Sequence, residues 1–207
     1  AWAAIVETWS SSWPAAIELG ARAAKLASDH GFQLLEAMGR FAELSGRGIA
    51  QGMGEAPALF GLEIQRLAKT GNRLGGAEVF AVLANLQLEQ GAIAPALEAI
   101  EIGLGLASAL AQPWCDAWLL TLKARCLAVH DSGPEPEALL TRALDIARSQ
   151  GARSYELRAA AALAERLHGQ ARSHEAREVL RPVLAHFAAQ QASPELNAAR
   201  QLMSLLP

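Results

Sequence analysis

The stretch Gly151-Ala152-Arg153-Ser154-Tyr155-Glu156-Leu157-Arg158-Ala159-Ala160, closed by Gly169-Gln170, reads as one helix held between two breakers. Glycine ends helices at little steric cost because it lacks the Cβ that disfavours a left-handed residue. Stepping away from Gly151 by 40 residues lands on a breaker each time: Gly31-Phe32, Gly71-Asn72, Ala111-Gln112-Pro113 and Gln191-Ala192-Ser193. A second breaker divides every unit, at Gly52-Met53-Gly54, Gly91, Asp131-Ser132-Gly133-Pro134 and Gly169-Gln170. Each unit is therefore two helices and two short turns, and a fixed period of this kind governs every later inference.

The second helices of the units open alike, with Ala94-Pro95-Ala96-Leu97, Pro136-Glu137-Ala138-Leu139 and His174-Glu175-Ala176-Arg177. Proline in a first turn forfeits no hydrogen bond, and its fixed φ suits a helix start. In the first helices the 40-residue step superposes Ala84, Ala124 and Ala164, with Leu44 as the bulky member of the column. Small residues there let neighbouring helices approach closely. A helix pair leaves an apolar face that only the next pair covers, so the expected fold is all-α, an α-solenoid of antiparallel helix pairs with a period of about 40. The expected organisation is one tetratricopeptide-like domain over 1–207, with pairs at about 1–30, 31–70, 71–110, 111–150 and 151–192. A capping helix over 194–206 follows from Ser193-Pro194-Glu195, which supplies an N-cap hydroxyl, a proline start and a first-turn carboxylate.

The front end reads differently. Trp2, Ile5, Val6, Trp9 and Trp13 form an apolar stripe at helical spacing. In a longer array this stripe packs against an earlier repeat, and in the chain as it stands it is a candidate self-association surface formed by Trp2, Trp9 and Trp13. The opening has no initiator Met and no secretory signal pattern, so the chain reads as a fragment of a larger protein.

Composition narrows the class of function. Hydrophobic residues are 52% and charged residues 19%, which excludes disorder over most of the length. Aromatics are only 5% and Ala recurs throughout, a helix-packing composition rather than a sheet one. A net charge of −3 argues against direct nucleic-acid contact. Uncharged runs such as Ile102 to Cys115 fall short of a membrane span. The two cysteines, Cys115 and Cys126, are 11 apart and cannot pair on one straight helix, and unpaired thiols point to a reducing, cytoplasmic setting. Residues 1–139 hold 9 Lys/Arg against 15 Asp/Glu, whereas 140–207 hold 9 against 6, an asymmetry suited to an acidic partner at the C-terminal end.

The run Arg142-Ala143-Leu144-Asp145-Ile146-Ala147-Arg148-Ser149-Gln150-Gly151-Ala152-Arg153, continued through Arg158-Ala159-Ala160, Glu175-Ala176-Arg177 and Leu180-Arg181-Pro182-Val183, resembles the closing repeats of large bacterial signalling proteins. In that family a nucleotide cyclase or DNA-binding regulator domain precedes a STAND-type ATPase module and a tetratricopeptide tail. The resemblance spans about 134–206 and implies that this chain is the tail alone.

Catalytic constellations are not legible. Gly71-Asn72-Arg73-Leu74-Gly75-Gly76 lacks the Lys and hydroxyl of a phosphate loop, and Gly46, Gly48, Gly52 and Gly54 read as a helix ending in a turn. His30, His130, His168, His174 and His186 form no metal-binding spacing, and three of them stand near predicted helix C-termini. Ser10, Ser11 and Ser12 have no base placed near them and read as the turn before Pro14. No cofactor, metal or catalytic residue is expected. The concave face of the first helices is where a function would live, and it receives Met38, Phe41 and Ser45, then Glu78, Ala81 and Asn85, then Trp118, Thr121 and Arg125, then Arg158, Ala161 and Glu165. Asn85, Trp118, Arg125 and Arg158 are the binding candidates: an aromatic platform, an amide and two guanidinium forks suited to a peptide or an anionic small molecule. The expectation is a non-enzymatic scaffold that binds a protein segment or adjoining domains of its parent, with a small-molecule sensor as the alternative.

Overall fold

The computed structural model describes residues 1–9, 12–50, 56–69, 71, 76–130, 133–188, 191 and 193–207. Among them are eleven α-helices, one short 3-10 turn and no strand. The Gly52-Met53-Gly54 breaker, the Asn72–Gly75 run, Ser10, Ser11 and the Asp131-Ser132 pair lie outside the described residues. The chain divides into two compact units, Ala1–Leu106 and Ala107–Pro207.

Turn geometry recurs with the spacing of the sequence. Left-handed residues stand at Gly31, Gly71, Gly91, Ala111, Gly151 and Ala171, separated by 20 residues or a multiple of 20. Around five of them the same pair of bonds closes the helix. The amide after the left-handed residue reaches back five positions, as Phe32 N to Ala27 O at 2.8 Å and Ala92 N to Gln87 O, Gln112 N to Ala107 O, Ala152 N to Ala147 O and Arg172 N to Leu167 O, each at 2.9 Å. The left-handed residue's own amide reaches back three, as Gly31 N to Ser28 O and Gly151 N to Arg148 O. This is the Schellman closure, which satisfies carbonyls orphaned at a helix end. The breaker expected at Gly169-Gln170 is displaced: Gly169 is the last residue of its helix and Ala171 takes the left-handed conformation.

In the first unit, α1 (Trp2–Trp9) and α2 (Trp13–Asp29) precede α3 (Gln33–Ala50). The face that α1 buries is Ala4, Ile5 and Thr8, whereas Trp2 is 56% and Val6 48% exposed, so the expected apolar stripe is turned partly to solvent. Helix α2 presents Ala16, Gly20, Ala24 and Ala27 to α3, one small residue per turn. The approach is backbone to backbone: a Cβ on Gly20 would stand 2.6 Å from Glu43 N, and one on Gly39 2.6 Å from Ala24 N. Gly46 meets Ile17 and the Trp13 carbonyl in the same way. Gly46 and Gly48 are thus interior to α3 and buried, not the turn their spacing predicts; at Gly46 close packing against α2, not termination, selects glycine. Helix α4 (Ala56–Lys69) packs on α3 through Phe60, whose ring centroid is 5.0 Å from that of Phe41. Helix α5 (Gly76–Glu89) packs against α3 and α4 and buries Val82, Ala84 and Leu86. Helix α6 spans Ile93–Ala109.

In the second unit, the 3-10 turn Pro113–Cys115 leads into α7 (Asp116–Ala128), followed by α8 (Glu135–Gln150), α9 (Arg153–Gly169), α10 (Ser173–Leu184) and α11 (Pro194–Leu205). Successive helices pack on one another, and α7 also packs on α9, and α9 on α11. Ala124 and Ala164 are fully buried, as is Ala84 in the first unit. Ser193 caps α11, its Oγ accepting from Leu196 N at 3.2 Å. Pro182 lies in α10, which ends two residues later at Leu184. Both cysteines are free and buried.

Candidate functional site

Helices α7, α9 and α11 bring their predicted and unpredicted polar residues to one corner. Trp118, on the first turns of α7, is only 8% exposed. The Tyr155 ring lies over it with centroids 5.9 Å apart and planes at 23°. The Arg158 guanidinium, one turn along α9, sits 4.5 Å from the Trp118 centroid and 5.6 Å from that of Tyr155. A cation over an indole face is attracted by the ring quadrupole, by about 1–2 kcal/mol when water is largely excluded. Arg158 Nη2 donates to Glu195 Oε1 of α11 at 3.4 Å, with the side chains 13% and 33% exposed. Trp118 and Arg158 are therefore brought together, with two partners that share one sequence offset. Trp118 to Tyr155 and Arg158 to Glu195 are both steps of 37, one period less one helical turn.

The remaining candidates are placed elsewhere. Arg125 is exposed in the last turn of α7, where its charge suits the helix C-terminus. Asn85 is half-buried on α5, in the first unit. Thr121, Ser45, Phe41, Ala81 and Glu78 are buried rather than lining an open face. The two hydroxyls among them are satisfied within their own helices, Thr121 Oγ1 donating to Ala117 O at 2.7 Å and Ser45 Oγ to Phe41 O at 2.6 Å. Of the front-end tryptophans, Trp2 is exposed, Trp13 is half-buried, and the Trp9 side chain lies outside the described residues.

Two charge clusters were not legible as sites. In the first unit Glu36 Oε1 accepts from Arg40 at 2.9 and 3.0 Å and from Arg66 of α4 at 3.1 Å. Beside it Glu63 is 7% exposed, its Oε1 is 3.8 Å from Arg66 Nε, and its Oε2 is buried with no partner among the described residues. The Arg40 hydrogen bonds hold Glu36 below the ordinary glutamate range, whereas burial pushes Glu63 above it, against the pull of Arg66 and Arg40. In the second unit Glu156, 3% exposed, is met by Arg153 at 2.6 Å and Arg148 at 3.2 Å. With two guanidiniums on it, this buried carboxylate is charge-compensated, and removing both would strand its charge. Burial also raises the Asp116 carboxyl, with Arg142 opposing, and raises the Cys126 thiol, which leaves that thiol protonated and unreactive.

A depression of about 750 Å³ opens along the outer face of α8, between Pro134 and Ser149, lined by Glu137, Thr141, Arg142 and Asp145. No group of three or more metal-ligating side chains occurs among the described residues. His168 bonds Ser173 Oγ at 2.8 Å across the turn between α9 and α10, and His30 caps α2. No helix of the described residues is long and apolar enough to cross a membrane. No protein-family model and no curated protein matches this chain.

Proposed function

We propose that the chain is a non-enzymatic, protein-binding regulatory scaffold, its helix pairs stacked as a tetratricopeptide-like α-solenoid. In this reading it is the cytoplasmic tail of a bacterial signalling or transcription-regulatory ATPase, and its first-helix face receives a partner segment or the adjoining module. The observation that carries the reading is the meeting of Trp118, Tyr155, Arg158 and Glu195 from three non-consecutive helices on one face. The recurrence of one turn geometry at 20-residue multiples supports the stacking. The alternative, a small-molecule sensor, needs a closed apolar pocket with polar groups converging at Trp118 and Arg125; Trp118 is instead covered by Arg158 and Tyr155, and Arg125 is exposed in the last turn of α7.

A native mass spectrum of the chain purified gently from its host separates the two. The scaffold reading expects a mass of 21.9 kDa, its multiples or a complex with another polypeptide. A small adduct retained by the chain and lost on Trp118→Ala would overturn it in favour of the sensor.

A further inference from the structure

We infer that α4 is a proton-controlled flap on α3: it stays closed while Glu63 carries a proton, and ionisation of Glu63 releases it, parting Phe60 from Phe41. This lies outside the scaffold reading and does not depend on it. Glu63 is 7% exposed, and its Oε2 is buried with no hydrogen-bond partner among the described residues. Its Oε1 stands 3.8 Å from Arg66 Nε, beyond hydrogen-bonding distance. The hydrogen bonds of this cluster go instead to Glu36, whose Oε1 accepts from Arg40 Nε, Arg40 Nη2 and Arg66 Nη1 at 3.0, 2.9 and 3.1 Å. An ionised Glu63 is thus a desolvated charge without a hydrogen bond, beside a second carboxylate, whereas the protonated acid has no charge to desolvate. Undocking α4 returns that carboxylate to water, so ionisation favours the open flap.

The closing contact is local. Phe60 of α4 is fully buried, its ring centroid 5.0 Å from that of Phe41. Gly61 follows it in mid-helix with no described atom within 4 Å of its would-be Cβ, which weakens the helix itself without tightening its packing. Burial raises the Glu63 carboxyl above the ordinary glutamate range; Arg66 and Arg40 oppose that rise and Glu36 adds to it. Of the other charged groups on α3, α4 and α5, Glu43 pairs with Arg47 at 2.8 Å and Lys69 stands exposed in the last turn of α4. Glu78 is buried with contacts of its own, and Glu89 ends α5. Glu36, held below the ordinary range, titrates at lower pH, so its effect and that of Glu63 fall in separate windows.

The test is hydrogen–deuterium exchange of the full chain and its E63Q and E36Q variants from about pH 4.5 to about pH 8, upward from the ordinary glutamate value. It is read as protection factors, which cancel the intrinsic pH dependence of exchange. In the wild type, protection of α4 should fall as pH rises, by at most about tenfold per pH unit for one proton, while that of α2 stays level. E63Q, a neutral mimic of the protonated acid, should keep α4 protected and level across the range. E36Q removes the neighbouring carboxylate and frees its donors, so the loss of α4 protection should move to lower pH. Level α4 protection in the wild type, the wild-type slope in E63Q, an unmoved or upward-moved transition in E36Q, or α2 losing protection in step with α4 would each overturn the inference.

Discussion

Two kinds of residue carry a cost that substitution can expose. Ala111 and Ala171 hold φ of 52° and 63°, the conformation that Gly31, Gly91 and Gly151 adopt in the equivalent turns. An L-residue pays about 1–2 kcal/mol there, part of which glycine returns as chain entropy in the unfolded state. Ala111→Gly and Ala171→Gly should each stabilise by about 0.5–1 kcal/mol, read as a higher urea midpoint with an unchanged slope. These positions were legible only in part. Ala111 falls at the breaker spacing, whereas Gly169 points two residues short of Ala171. Glu63 and Glu36 are the second kind. Glu63 has a raised folded pKa, so the stability tied to its proton is present at low pH and is lost as pH rises through that folded value. Glu36 has a lowered one, so its contribution is present above the unfolded value and is lost as pH falls through the folded value. Carboxyl ¹³C titration should place Glu63 above and Glu36 below an ordinary glutamate, and Arg66→Ala should move both upward. Coincident titrations would refute the cluster. Nothing in sequence spacing reveals it, because the 30-residue step from Glu36 to Arg66 depends on how α4 leans on α3.

At the scale of the element, the pairing of α2 with α3 depends on the absence of side chains. Gly20→Ala or Gly39→Ala forces a Cβ to 2.6 Å from backbone nitrogen, which no rotamer change relieves. Overpacking of this kind costs about 1–3 kcal/mol, and with backbone as the obstacle the upper end is expected. Gly105, on α6, has no described atom within 4 Å of its would-be Cβ. Gly105→Ala should therefore stabilise by about 0.5–1 kcal/mol through helix propensity alone. Thermal unfolding of the three variants checks the contrast, and a harmless Gly39→Ala would show the helices to be farther apart than described. Helix existence and spacing were plain from the breakers and proline starts. The use of glycine was not, because a helix-ending glycine and a helix-packing glycine look identical without the partner helix. The fate of α1 was equally hidden: its stripe of Trp2, Ile5 and Val6 predicts one buried face, yet Ala4, Ile5 and Thr8 are the residues that α2 and α3 cover.

For the whole molecule, local turns explain why a 207-residue chain can be read so far from sequence. Within each unit, the helix pairs seen to pack are neighbours or next neighbours along the chain, so local sequence carries much of the packing information. The division into two compact units was not legible, since the breaker spacing runs unaltered through residue 107. The candidate site was half legible. Trp118 and Arg158 occupy one repeat column and do meet, but Tyr155 and Glu195 complete the corner from the turn before, a cross-helix offset that periodicity alone leaves open. The central claim is that the face shared by α7, α9 and α11 receives a protein segment. The measurement that tests it most directly is site-specific photo-crosslinking in the host, with benzoylphenylalanine at Ala161, one turn from Arg158, and at Asp145 on the outer face of α8. The account predicts a discrete crosslinked polypeptide, or an adjoining segment of the parent protein, from position 161 and not from 145. Equal labelling from both positions, or none from 161, would contradict it.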